Sequence, residues 1–108
     1  MLTKEMEERI NTLKAEWKDE GDGYYSMNAY SVPNPFTQQF KLAYVAIPEN
    51  HPLVNKGYHE IEADVEVNGG LTFAEGNVFG WDYGHAYNDT DIDGDIRRAL
   101  DYFKSKAK

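Results

Sequence analysis

Leu2, Met6, Ile10, Leu13 and Trp17 recur at steps of four and three, with Lys and Glu between them. That is the apolar stripe of an amphipathic helix, which Thr3 can cap and Gly21 or Gly23 can stop. From residue 24 to 30, Tyr25, Met27 and Ala29 alternate with Tyr24, Ser26 and Asn28, which predicts a short strand before Pro33 and Pro35 force an irregular connection. Residues 40–47 form the most apolar run, rich in β-formers and closed by Pro48, and read as a strand buried on both faces. A loop follows over residues 48–58.

Strict alternation over residues 60–67 sets Ile61, Ala63, Val65 and Val67 on one face and Glu60, Glu62, Asp64 and Glu66 on the other, the pattern of a half-buried strand. Asn68, Gly69 and Gly70 tolerate positive φ and favour a tight turn into a strand over 71–75. A second turn at Gly76 and Asn77 leads to a strand over 78–83. Ile96, Ala99, Leu100 and Phe103 then keep helical spacing, with acids before the first turn and Lys104, Lys106 and Lys108 near the end, as the helix dipole favours. The expected class is α+β: one domain over residues 1–108, with an antiparallel β-meander of four or five strands between an N-terminal and a C-terminal helix.

A chain of 108 residues buries roughly two thirds of its unfolded surface, enough for one core. With 41% hydrophobic and 14% aromatic residues, it has the composition of a folded protein. The absence of cysteine removes disulfides, thiolate zinc sites and thiol nucleophiles, and makes the cytoplasm the simplest setting. Charges near the N-terminus argue against a signal peptide, and no apolar run approaches the roughly 20 residues of a membrane span.

Eleven basic against nineteen acidic residues give a formal charge of −8, which disfavours direct binding to nucleic acid or to anionic membranes. The distribution is uneven. Between Lys56 and Arg97 there is no Lys or Arg, while ten carboxylates fall there.

Three groups within that acidic block are candidate sites. In a strand, Glu60, Glu62, Asp64 and Glu66 would stand roughly 6.7 Å apart in a row of like charge, either presented to a basic partner or serving only to keep a sheet face soluble. Asp89, Asp91, Asp93 and Asp95, with Gly94 sixth and Ile96 eighth, match the opening of an EF-hand loop. Leu100 stands where the bidentate Glu belongs, and the same acids suit the start of a helix. The sequence otherwise calls for no cofactor, and Ca2+ is the ion this segment could take. Trp81, Asp82, Tyr83, His85 and Tyr87 form the third group, able to line a ligand pocket or hold a metal, or simply to pack and to bond turn backbone. His51 and His59 lack partner spacing and are expected at the surface or at a hinge. Tyr24, Tyr25, Tyr30, Tyr83 and Tyr87 could stack a small nucleotide, and no pair of residues shows nucleophile-and-base spacing.

The succession Tyr44-Val-Ala-Ile-Pro48, His51-Pro-Leu53, Lys56-Gly-Tyr58, Val67-Asn-Gly-Gly-Leu-Thr-Phe73 and Phe79-Gly-Trp-Asp82 with His85 resembles a small domain found in bacteriophage and bacterial proteins. The resemblance covers about residues 44–89. The chain departs from that pattern at Asn68, where a His is usual, at Trp81, where a Phe is usual, and in the spacing from His85 to the next acid. The resemblance implies a phage or prophage origin and carries no activity. It leads to the expectation of an acidic, non-enzymatic protein in the host cytoplasm that engages a host protein with a basic surface, and inhibits a defence system. The alternative is a small-ligand (nucleotide) or metal-binding domain that uses the loop from Asp82 to His85.

Overall fold

The computed structural model describes residues 2–36, 38–61, 65–84 and 91–107. Thr3 opens α1 (Lys4–Leu13), its Oγ1 accepting from Met6 N at 3.2 Å. The apolar stripe runs on to Trp17, but the helix does not. Lys14 takes a left-handed backbone, φ 56°, and its N–H closes on Ile10 O at 2.8 Å, satisfying a carbonyl that the helix end would leave open. Trp17 still packs on α1, its indole donating to Met6 O at 2.9 Å. The helix therefore ends four residues before its apolar stripe does, and a strand, β1 (Lys18–Gly21), forms where the helix was expected to run on toward Gly21 or Gly23.

The strands β1, β2 (Tyr24–Tyr30), β3 (Lys41–Ala46), β4 (Phe73–Glu75) and β5 (Val78–Asp82) form one antiparallel sheet in the order β1-β2-β3-β5-β4. Asp22 and Gly23 join β1 to β2 with φ of 56° and 85°, the paired positive values that a two-residue hairpin turn demands. From β3 the chain leaves the sheet, returns at the far edge as β4, and β5 fills the place beside β3. With α1 and the C-terminal helix α3 (Ile92–Ser105), the class is α+β as expected.

The helices lie on opposite faces of the sheet. Along β3, Ala43 and Val45 face the cluster that contains Ile96, Ala99, Leu100 and Phe103 of α3, whereas Tyr44 and Ala46 face Met6 of α1. This strand is buried on both sides, as its unbroken apolar run requires. The excursion after β3 adds Ile61, Val65 and Leu71 to the α3 side.

Two expectations fail within that excursion. Glu60 and Ile61 end a one-turn helix, α2 (Tyr58–Ile61), and residues 65–70 are a turn-rich segment, so among the described residues, 60–61 and 65–67 do not form the expected acidic strand. Local bonds prevail over alternation: Glu60 Oε2 accepts from Gly57 N at 2.8 Å, Glu60 N donates to Gly57 O at 3.1 Å, and Gly70 N donates to Val67 O at 2.9 Å. Helical and turn geometry brings Ile61 and Val65 into the core without a strand partner. Glu62 and Asp64 lie outside the described residues.

His51 is the second correction, for it is buried. Its Nδ1 accepts from Leu53 N at 3.0 Å, which leaves Nε2 as the donor to Phe103 O at 2.7 Å and ties the loop after β3 to the end of α3. His59 is exposed, as expected.

Candidate functional site

Trp81 and Tyr83 alternate at the end of β5, so both point to the α3 side. They are only 1% and 7% exposed, and the structure places them in the core instead of on a pocket wall. A relay of donors explains how their polar atoms tolerate burial. Trp81 Nε1–H donates to Tyr83 Oη at 2.7 Å, and the Tyr83 hydroxyl donates to Asp95 Oδ2 at 2.7 Å. Asp95, in the first turn of α3, also accepts from Asn68 N at 3.2 Å and pairs with the Arg98 guanidinium. Arg98 Nε in turn donates to Glu66 O at 3.0 Å, and Asn68 Nδ2 donates to Asp82 O at 3.3 Å.

The relay clamps β5, α3 and the 65–70 segment together. With its indole and phenol donors already used, it offers no free donor from Trp81 or Tyr83 to a ligand. Asp82, half-buried, accepts from Gly84 N at 3.1 Å in an ordinary turn contact. His85 and Tyr87 lie outside the described residues.

Burial, reinforced by the bond to Asp95, pushes the Tyr83 phenol well above its usual range, and burial with Asp22 nearby raises Tyr24 in the same direction. A raised tyrosine stabilises the fold while it is protonated. Its contribution is intact below the unfolded value near about pH 10 and is lost as pH climbs from there through the raised folded value. The wild-type urea midpoint should thus fall more steeply above that pH than the midpoint of Tyr83→Phe, which cannot ionise. Parallel profiles would contradict this role.

The acidic run at 89–95 divides in the same manner. Asp91 caps α3, its Oδ1 accepting from Gly94 N at 2.9 Å, Asp93 is exposed, and Asp95 turns inward to the relay. In an EF-hand loop these positions wrap an ion, whereas here residues 92–95 already belong to the first helical turn. Among the described residues no three His, Asp or Glu side chains are grouped to hold a metal ion. Asp89 lies outside the described residues.

The open space is elsewhere. The β1–β2 edge of the sheet extends past α3 and leaves a groove of about 480 Å³ between them. Ser26 and Asn28 of β2 with Lys18 and Glu20 of β1 form its sheet side: Lys18 stands opposite Ser26, period two brings Asn28 to the face of Ser26, and Glu20, at the register shift between Asp19 and Gly21, bonds Ser26. On α3, Asp93, Arg97, Asp101 and Lys104 line the groove at steps of four and three, above a floor of Ile96 and Leu100.

Ser26 Oγ–H donates to Glu20 Oε2 at 2.6 Å, and Lys18 Nζ is 3.9 Å from the same oxygen. The Lys104 ammonium lies 5.4 Å from the Tyr24 ring centroid. At Asn28 and Asp93 the groove meets a second hollow of about 410 Å³, which reaches Tyr30, Lys41 and Asp91. The helix face was readable in the sequence as a charged stripe. Its counterpart was not, because β1 was expected to be the end or the aftermath of a helix.

No helix among the described residues is long and apolar enough to cross a membrane. The chain matches no family model, no curated protein and no solved structure.

Proposed function

We propose that the chain is a non-catalytic protein-binding domain that seats a polypeptide segment of a basic partner in the groove between β1–β2 and α3. The supporting observation is the state of its charges. Among the described residues only Lys18–Glu20 and Arg98–Asp95 come within ion-pair distance, so most of the excess carboxylates meet solvent and attract a basic surface over long range. In the groove itself, Glu16, Glu20, Asp93 and Asp101 are interspersed with Lys18, Arg97 and Lys104. A lining of both signs fits a peptide that carries both better than a uniformly anionic nucleic acid.

The resemblance of residues 44–89 extends this reading to a phage or prophage protein that acts in the host cytoplasm, with inhibition of a defence system as the suggested outcome. The small-ligand alternative at residues 82–85 has less support, because Trp81 and Tyr83 are committed to the relay.

The immobilised protein should retain a host protein from bacterial lysate at low salt and release it as ionic strength rises beyond about 0.15 M, where the screening length falls below about 8 Å. Asn28→Arg, at an exposed position on the groove's sheet side, should cut retention by about tenfold without lowering the melting temperature. Retention that survives Asn28→Arg unchanged removes the groove as the seat.

A further inference from the structure

We propose that Asn68–Gly69 is a self-modifying site, at which loss of ammonia from Asn68 unfastens the 65–70 segment from the Trp81–Tyr83–Asp95 relay. Residues 67–70 form a turn closed by Gly70 N–H on Val67 O at 2.9 Å, with Gly69 at φ 72°. Asn68 is exposed, its side chain is held by one long bond to Asp82 O at 3.3 Å, and open space surrounds the position where Gly69 would carry a Cβ. Among the described residues nothing accepts from the Gly69 N–H. Among the described residues, the reacting nitrogen is therefore neither shielded by a side chain nor held in a hydrogen bond.

The chemistry balances with water alone. Hydroxide takes the Gly69 amide proton, the nitrogen attacks Asn68 Cγ, the Cγ–Nδ2 bond breaks and Nδ2 leaves as ammonia, closing a five-membered succinimide. Water then opens the ring. Attack at Cγ restores a normal main chain with Asp at 68, whereas attack at the Asn68 main-chain carbonyl leaves an isoaspartyl link. The net change is loss of NH3 and gain of H2O, and the formal charge becomes one unit more negative than −8.

Both products work against the clamp. The amide donor that faced Asp82 O becomes a carboxylate oxygen facing a carbonyl oxygen, and a new negative charge arises beside the Asp95 carboxylate that Asn68 N binds. In the isoaspartyl form the main chain also lengthens by a methylene, so the bonds Asn68 N–Asp95 and Gly70 N–Val67 O lose their common register.

The test holds the intact protein at mildly alkaline pH and body temperature, alongside urea-unfolded protein and Asn68→Ser, and follows intact mass and peptide maps. A gain of about 1 Da that localises to Asn68 in the folded protein, at a rate within about tenfold of the unfolded chain and absent from Asn68→Ser at that peptide, is the expected result. Folded protein that reacts more slowly than that, or first at another Asn, overturns the proposal. The Asn68→Asp variant reads the consequence separately: its melting temperature should fall, and an unchanged one overturns the coupling to the relay.

Discussion

Trp81→Ala should destabilise the fold by about 4 kcal/mol, the range for truncating a fully buried large aromatic side chain. The ring is 1% exposed within the cluster formed by β3, β5 and α3, so its removal leaves a cavity that the close-packed neighbours cannot collapse to fill. It also strips Tyr83 Oη of the indole donor, leaving one end of the buried relay unsatisfied. Trp81→Phe isolates that second part: most of the apolar ring stays, the N–H is lost, and the expected cost is about 1 to 2 kcal/mol. Urea unfolding followed by circular dichroism separates the two. A loss below about 1 kcal/mol for Trp81→Ala would mean that the indole is not part of the core.

Gly80→Ala should cost about 3 kcal/mol, at the high end for overpacking. Gly80 stands opposite Tyr44 on β3 and Phe73 on β4, and the Tyr44 ring lies across the space its missing side chain leaves. A Cβ there would collide with that ring and meet Ala43 O at 3.0 Å. The ring cannot simply swing aside. Phe73 packs edge-on against it with centroids 5.4 Å apart, and the Arg9 guanidinium sits 5.0 Å from the Phe73 centroid and 6.0 Å from that of Tyr44. Because the clash is with one ring, Tyr44→Ala introduced into the Gly80→Ala protein should cost less than it does alone. Additive losses in the double-mutant cycle would show that the glycine is needed for some other reason.

Much of the architecture follows from short-range periodicity. The C-terminal helix, the start of α1, the strand over 24–30, the doubly buried β3 and the Gly76–Asn77 turn all appear where residue spacing put them. The failures come where periodicity is overruled, by local turn bonds at Lys14 and Gly57 in two cases and by a partner far along the chain in the third. Trp17 continues the stripe of α1, yet it reaches Met6 O by folding back after Lys14, and the charged segment that follows is an edge strand, whose charges are a usual guard against edge pairing. Over 60–67 the alternation was genuine, but Ile61 and Val65 reach the core from a helical turn and a bend. His51 looked like a surface residue because nothing local reveals that Phe103 O awaits its proton, 52 positions away.

The candidate site was half legible. Alternation along β5 puts Trp81 and Tyr83 on one side, while their acceptor, Asp95, belongs to another element and was read as a calcium ligand. The groove depends on β1, which the apolar stripe concealed.

Trp81→Phe, measured for both stability and partner capture, is the most direct test of whether the relay is a clamp and binding occurs elsewhere. The expected result is a melting temperature lower by roughly 5 °C, with capture of the host protein unchanged when assayed well below the melt. A melting temperature that stays at the wild-type value while capture is lost would contradict the account, because it would make the indole a contact for the partner.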